Sequence, residues 1–291
     1  MRTSRRSSGD VASGDRMNEG KARARFAALI NRDPVPLDEA ALAIAEEEYP
    51  RLEPEEYLVR LDRLAERVRV KAPAGRSATL LHALRKVLFE EDGYRGNEVD
   101  YSDPRNSFLN EVIERRLGLP ITLCVLYIEV GRRAGLALHG VGFPGHFLAK
   151  YVSPSGAEVF VDAFNGGEML STDECVARYR ARTGGRDLDR RHLAAIAPRQ
   201  TLARMLHNLK RTYLERRDDV RAWWVLDRIL LLTPGQLEAT RDRGLVSARL
   251  GVAAAAERDL EAYLSRSGTA ADAAEIRRVL AGLRGRRPLV N

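Results

Sequence analysis

The amino-acid sequence predicts an α+β protein in which a central helix packs on a small antiparallel sheet, with helical regions before and after this core. Apolar residues recur at three- and four-residue spacing over residues 21–98 and again over 200–285, which is typical of amphipathic helices. Residues 123–130 are almost uniformly apolar, which is typical of a buried helix. Residues 136–165 form short segments rich in β-branched and aromatic residues, which favours strands.

The composition is that of a globular protein with a basic surface. The chain has 291 residues, 44% of them hydrophobic, and a formal net charge of +7. Only five of its 48 basic residues are lysines, and two aspartates interrupt the densest basic stretch, residues 178–192, so we do not expect nucleic-acid binding. No apolar stretch reaches the roughly 18 to 20 residues of a membrane span, because Glu129, Arg132 and Arg133 interrupt the longest one.

The chain termini and the number of cysteines indicate the compartment in which the protein is expected to work. Residues 1–20 mix arginine, serine, glycine and acids, so we expect a disordered tail rather than a secretory signal, and residues 286–291 form a second short tail. Two cysteines, Cys124 and Cys175, supply neither a disulfide framework nor a paired-thiol metal spacing, which favours a cytoplasmic protein. We expect no metal and no cofactor, since the chain shows no ligand cluster and no phosphate-binding glycine loop.

The predicted core, residues 21–198, begins with a helical leader. Pro36 and Pro54 lie near helix starts, and "ATLLHALRKVLFEE" adds another amphipathic helix. The segment "DGYRGNEVDYSDPRN" follows as a long loop, and "SFLNEVIERRLG" returns to helix.

The apolar helix carries the first candidate for chemistry, Cys124. In "GLPITLC", Gly118 and Pro120 end the preceding helix, and Thr122 is a natural N-cap for the next, which places Cys124 in the first turn. A thiolate is favoured there by the helix dipole. If the helix begins at Pro120 instead, Cys124 lies in the second turn and the dipole helps less. A cysteine on a buried helix also packs as a small hydrophobe, and that alternative stays open.

A hairpin supplies a base and an acceptor that orients it. His146 begins one strand and Asp162 ends the next, with "SPSG" between the strands. A hairpin centred on Pro154 places His146 and Asp162 directly opposite each other, with Cβ atoms roughly 4.5 to 5.5 Å apart. A slip of one residue would turn Asp162 to the other face.

The chain returns to helix after the hairpin. Ser171 and Glu174 have the spacing of a capping box, and Cys175 on that helix is expected to be a small core or boundary residue. Residues 199–285 are predicted to form a helical array. Ala222 and Ala256 lie 34 residues apart, the period of a tetratricopeptide repeat, and two such repeats plus a final helix fit the segment.

The run "DPRNSFLNEVIERRLGLPITLCVLYIEVGRRAGLALHGVGFPGHFLAKY…VFVDAFNGGEML" resembles the bacterial SirB-like proteins, a transglutaminase-like, papain-like core family often followed by tetratricopeptide repeats. The resemblance covers roughly residues 30–280 and is most specific from Asp103 to Leu170. It implies a thiol acyl-transfer site in which Cys124 attacks a carbonyl, His146 moves the proton and Asp162 orients His146.

The resemblance also implies an oxyanion site. The backbone N–H of Cys124 would serve there, with Asn110 as the upstream side-chain donor, while Asn106 and Glu111 brace the same motif. The chain departs from the common pattern at Phe147, since transglutaminase-like sites often place a tryptophan near the histidine.

The sequence therefore predicts a cysteine-dependent acyl transferase or amidohydrolase that acts on a protein or peptide. Protease or deamidase activity is expected as much as cross-linking. The repeats would bind a protein or peptide partner. The alternative is a non-catalytic interaction module on the same papain-like core.

Overall fold

A computed structural model describes residues 9–285 as backbone and, within the first helix, side chains from Gly20 onward. Residues 1–8 of the predicted N-terminal tail and the predicted tail at 286–291 lie outside this range. Helix α1 (Gly9–Ile30) begins inside the segment whose composition predicts disorder. The chain divides into two compact units, one up to Leu202 and one from Ala203 on.

The first unit is mainly helical and contains one main sheet and one two-stranded ladder. Its remaining helices are α2 (Leu37–Ala45), α3 (Pro54–Lys71), α4 (Ser77–Arg85), α5 (Leu109–Arg115), α6 (Pro120–Arg133) and α7 (Thr172–Thr183). A π-helical turn, Lys86–Glu91, continues α4, and 3₁₀ turns form at Pro104–Ser107 and Arg190–Leu193. As predicted, Pro36 and Pro54 stand at helix starts, where the missing N–H of proline is not needed.

Five short strands form the main sheet, namely β3 (Leu138–Val141), β4 (Leu148–Val152), β5 (Glu158–Asp162), β6 (Glu168–Leu170) and β7 (Ala195–Ile196). Their spatial order is β6-β5-β4-β3-β7, and every neighbouring pair is antiparallel. Two further strands, β1 (Arg95–Gly96) and β2 (Leu117–Gly118), pair in parallel as a separate two-residue ladder.

Helix α6 is the predicted central helix, and it is buried continuously from Pro120 to Gly131. It packs against β3, where the helix approaches closely because Gly131 has no side chain. A Cβ atom at Gly131 would lie 2.3 Å from Leu138 Cδ1 and 3.0 Å from Leu84 Cδ2. A helix that is apolar on all sides is therefore enclosed on all sides here.

Of the two starts considered for α6, the preferred one after Thr122 is wrong and the alternative at Pro120 is observed. The helix begins at Pro120 with Leu119 as the N-cap, so Cys124 lies in the second turn and not in the first. Thr122 stands inside the helix, where its Oγ1 accepts a hydrogen bond from Leu119 N–H (3.0 Å) and donates one to the Asn106 carbonyl (2.6 Å). Proline at the first helical position, with its preset φ, explains the earlier start.

The predicted hairpin register is also wrong, by two residues. Lys150 pairs with Phe160, which centres the hairpin on Ser155 rather than Pro154. The turn between the strands is closed by Ser153, whose carbonyl accepts from Gly156 N–H (2.9 Å) and whose Oγ accepts from Ala157 N–H (2.9 Å). Because side chains alternate with period two, a shift of two residues preserves the face on which each side chain lies.

The second unit is a helical array. Helix α8 (Pro198–Glu215) crosses the division between the units, and α9 (Asp219–Leu232), α10 (Leu237–Arg249), α11 (Ala253–Ser267) and α12 (Ala273–Gly285) follow it. Ala222 and Ala256, 34 residues apart, are both fully buried on equivalent helices α9 and α11. Within the described part of the chain, no helix combines the length and apolarity needed to cross a bilayer.

Candidate functional site

The structure joins His146 and Asp162 by a direct hydrogen bond, with His146 Nε2 and Asp162 Oδ1 2.9 Å apart. His146 lies in the turn before β4, whose tight path is allowed by the positive φ of Gly145 and closed by a bond from His146 N–H to the Phe143 carbonyl (2.9 Å). Asp162 is the last residue of β5 and is buried. The predicted pair is therefore formed, although His146 precedes the paired part of its strand.

Both His146 and Asn165 stabilise the ionised form of Asp162. Asn165 donates its backbone N–H to Oδ1 (3.2 Å) and its Nδ2 to Oδ2 (2.9 Å). Burial alone would raise the pKa of Asp162, but the hydrogen bonds from His146 and Asn165 keep that pKa below its ordinary value. The turn that places Asn165 continues through Gly166 and Gly167, both at positive φ.

Cys124 is fully buried beneath the ends of β4 and β5. Its thiol donates to the Phe147 carbonyl, with Sγ and O 3.5 Å apart, and the backbone N–H groups of Ala149 and Ala163 act to lower the pKa of the thiol. Phe147 is the residue next to His146 in the chain, so the elements that carry all three predicted catalytic residues converge here.

The surroundings of the Cys124 thiol disfavour the thiolate in this conformation. Burial raises the pKa of the Cys124 thiol well above its ordinary value, and the nearby Asp162 carboxylate raises it further. The two backbone N–H groups act in the opposite direction but do not outweigh burial. The later position of Cys124 in α6 fits this result, because the dipole effect is confined to the first turn.

The motif residues upstream of α6 have separate roles. Asn106 braces the loop, since its Nδ2 donates to the Asp100 carbonyl (2.7 Å) and its Oδ1 accepts from Asn97 (3.0 Å). Glu111 Oε2 lies 3.9 Å from Arg115 Nε, one turn further along α5. Asn110 is buried, and its Oδ1 finds no hydrogen-bond partner among the described residues.

Three residues near the site were not predicted from sequence. Asn165 orients Asp162, and its only sequence signal is an Asn three residues after the Asp, just before two glycines. The Phe164 ring stands edge-on to the His146 ring, with centroids 6.1 Å apart. Tyr127, one turn after Cys124, is buried with no hydrogen-bond partner for its hydroxyl among the described residues. Burial raises the pKa of Tyr127, and the nearby Cys124 raises it further.

Phe147 stands where a tryptophan is often found, and its ring is buried. It packs against β3, so that a Cβ atom at Gly140 would lie 2.8 Å from the Phe147 Cζ. The ring therefore fills the core beneath the sheet.

Cys175 is a core residue, as predicted. It lies on α7 in an apolar cluster with Val141, Phe160 and Leu170, and burial raises its pKa to about 11. The predicted capping box before it is present, with Glu174 N–H donating to Ser171 Oγ (3.2 Å) and Ser171 N–H donating to Glu174 Oε2 (2.7 Å). Over the described residues, no three His, Cys, Asp or Glu side chains gather as a metal site would require.

The combination of a central helix with a cysteine, a small antiparallel sheet with a His–Asp pair, and a following helical array defines a transglutaminase-like core with tetratricopeptide repeats. Family models agree: residues 55–207 match the transglutaminase-like superfamily, and residues 209–281 match the tetratricopeptide repeat. The chain belongs to the transglutaminase-like superfamily.

Its relatives carry the resemblance further. The chain is 43% identical over 242 residues to a UPF0162 protein of Xylella fastidiosa, covering 81% of this chain and 86% of the relative. It is 27% identical over 220 residues to a UPF0162 protein of Vibrio cholerae, covering 75% and 81% of the two chains. These proteins confirm the SirB-like resemblance.

A eukaryotic protein shares part of the chain. F-box only protein 21 of Mus musculus is 35% identical over 105 residues, which is 33% of this chain and 16% of that protein. No solved structure matches the chain.

Proposed function

We propose that the transglutaminase-like unit is a cysteine-dependent acyl transferase or amidohydrolase that acts on a protein or peptide in the cytoplasm. The hydrogen bond between His146 and the buried Asp162 carboxylate carries this proposal. Burying a carboxylate costs free energy unless the carboxylate is paired, and here it is paired with His146. Phe147, which follows His146 in the chain, accepts a hydrogen bond from the Cys124 thiol.

In the proposed reaction, Cys124 Sγ bonds to the carbonyl carbon of an amide or ester while its proton passes to His146 Nδ1. Asp162 Oδ1 accepts a hydrogen bond from His146 Nε2, and this bond fixes the orientation of the ring and stabilises the imidazolium. The tetrahedral oxyanion is held by the Cys124 N–H, with Asn110 as the candidate side-chain donor. Collapse breaks the bond to the leaving group, an amine from an amide or an alcohol from an ester, and this group takes the proton from His146. Water or a second amine then resolves the thioester.

The proposal requires a reactive state in which Cys124 leaves its bond to the Phe147 carbonyl. A thiol is a weak donor, so this bond opposes exposure only slightly. The main requirement is movement of the strand ends that cover the sulfur.

The repeats, in this proposal, recruit the substrate or a partner protein. Tetratricopeptide repeats generally mediate protein–protein interaction, and residues 209–281 match that repeat family.

A small acyl donor tests the chemistry. With p-nitrophenyl acetate, we expect one equivalent of nitrophenolate to be released in a burst that is lost in Cys124→Ala and retained in Cys175→Ala. His146→Ala should slow the burst by about 10²- to 10⁴-fold, the usual range for removing a general base. Equal release from the two cysteine variants would contradict the proposal.

A non-catalytic interaction module is the second candidate, and the buried, protonated thiol favours it. Iodoacetamide labelling against pH separates the two. The enzyme predicts a labelling rate at Cys124 that depends on His146 near neutral pH, with Cys175 as the internal control. The module predicts that Cys124 labels as an unassisted thiol, with no change in His146→Ala.

A further inference from the structure

A loop beside the His–Asp pair carries two exposed apolar side chains. This loop, the Asn97 loop, spans residues 97–103. Val99 is 100% exposed and Tyr101 is 44% exposed. The Tyr101 ring lies 6.0 Å from the Phe164 ring, and Phe164 in turn lies 6.1 Å from His146. An aromatic surface therefore runs from the loop to the candidate base.

The Asn97 loop is held in place by buried amides. Asn97 and Asn106 are buried and joined by a hydrogen bond of 3.0 Å. Asn97 Oδ1 accepts from Asp100 N–H (3.1 Å), and the Asp100 carbonyl accepts from Asn106 Nδ2 (2.7 Å). The loop therefore presents Val99 and Tyr101 from a fixed backbone, and a partner that covers them loses little conformational entropy in ordering the loop.

The negative charge on the loop favours a partner with basic residues. Glu98 and Asp100 flank Val99, are exposed, and form no ion pair with any residue between 20 and 285. Two cations of this region are already paired with other carboxylates, since Arg105 pairs with Asp103 (2.8 Å) and Arg178 pairs with Glu168. A chain of net charge +7 thus presents two unpaired carboxylates beside its candidate site.

We propose that the Asn97 loop and Phe164 bind a peptide segment in which an apolar side chain is flanked by basic residues. The apolar side chain covers Tyr101 and Phe164, and the basic residues pair with Glu98 and Asp100. This inference rests on the proposed function in that the bound segment is delivered to His146, but the binding itself requires no reaction at Cys124.

The test measures binding of labelled peptides to the full chain by fluorescence polarisation at low salt. The probe is fluorescein-labelled Gly-Arg-Phe-Arg-Gly, compared with Gly-Glu-Phe-Glu-Gly and Gly-Arg-Ala-Arg-Gly. We expect the first peptide to bind about tenfold more tightly than either of the others, since it alone offers both an aromatic ring and two cations. Equal affinity for the three peptides would overturn the proposal.

Loop variants then assign the binding to this surface. Tyr101→Ala should weaken binding of the basic peptide about five- to tenfold, since an aromatic contact and its buried area are lost. Val152→Ala, which removes an equally exposed apolar side chain from the far end of β4, should leave it unchanged. Glu98→Gln with Asp100→Asn should weaken binding about fivefold and flatten its salt dependence.

Two controls complete the design. Glu53→Gln with Glu56→Gln removes two exposed carboxylates at the start of α3 and should not change peptide affinity. Cys124→Ala should bind as the wild type does, so a failure of the acyl chemistry leaves the binding result intact. Unchanged affinity in the loop variants would refute the assignment. Self-association that is lost in Tyr101→Ala would assign the surface to a second copy of the chain and would equally refute it.

Discussion

Replacing Asp162 with Asn tests whether the buried carboxylate is the central support of the site. Asp162 accepts hydrogen bonds from the His146 ring, from Asn165 N–H and from Asn165 Nδ2. An amide at this position keeps one acceptor oxygen but directs an NH₂ group at a donor. The variant therefore loses one hydrogen bond and the charge that strengthens the others.

The magnitude follows from these contacts. A hydrogen bond to a charged group contributes about 1.5–3 kcal/mol, and the three bonds share one carboxylate, so their losses do not add. We expect Asp162→Asn to lower the free energy of unfolding of the first unit by about 2–3 kcal/mol. With a urea m-value of about 2 kcal/mol/M, the midpoint falls by roughly 1–1.5 M.

The pH dependence has a definite sign. The folded state holds the pKa of Asp162 below its unfolded value, so the carboxylate contributes its stability above the unfolded pKa of about 3.9 and loses it as pH falls through the folded pKa. The gap between wild type and Asp162→Asn should shrink as the pH falls below about 4.

The positions of the cysteines and tryptophans allow unfolding of the two units to be measured separately. Both cysteines lie in the unit up to Leu202, and both tryptophans, Trp223 and Trp224, lie in the unit from Ala203 on. Pulsed labelling with dithiodipyridine, which reacts with thiols at acid pH, follows unfolding of the first unit in urea, while tryptophan fluorescence follows the second. Asp173→Asn, an exposed charge removal on α7, is the matched control and should shift the midpoint by less than about 0.5 M. Coinciding thiol-labelling midpoints for wild type and Asp162→Asn, or a gap that persists at pH 3, would refute the reasoning.

Three further substitutions are expected to act through packing and capping. Gly131→Ala places a Cβ atom 2.3 Å from Leu138 and should destabilise the first unit by about 1–3 kcal/mol in the thiol assay. Gly20→Ala, where no atom lies within 4 Å, should not destabilise it. Ser171→Ala removes the capping box of α7 and should cost about 1 kcal/mol, and an unchanged thiol-labelling midpoint would count against that role. Gly244→Ala places a Cβ atom 2.7 Å from Leu260 and should lower the tryptophan-detected midpoint while leaving the thiol-detected one in place.

The main elements of the fold are readable from periodicity, and the fine placement of the site is not. The uniform apolarity of residues 123–130 predicts an enclosed helix because no polar face is available to meet water. Its start is ambiguous, since Pro120 fits the first position of a helix and Thr122 fits an N-cap two residues later. Only the surroundings, in which Thr122 donates to the Asn106 carbonyl, decide between them.

The hairpin shows the same limit. The sequence "SPSG" identifies the turn, but the five residues between β4 and β5 include Ala157, so the centre moves from Pro154 to Ser155. The pair of His146 and Asp162 survives because the resulting shift is even and because His146 stands in a turn that brings its ring back to Asp162. The burial of Cys124 depends on backbone groups at 147, 149 and 163, which no local pattern places over the sulfur.

The enclosure of Cys124 has a consequence for its durability. Peroxides and other oxidants react with the thiolate, and they must reach it. A sulfur that is fully buried and kept protonated by its surroundings meets neither condition while the strand ends stay closed. The closed state therefore keeps the Cys124 sulfur in its reduced form, and under the proposed function the opening that admits a substrate would also expose this sulfur to oxidation.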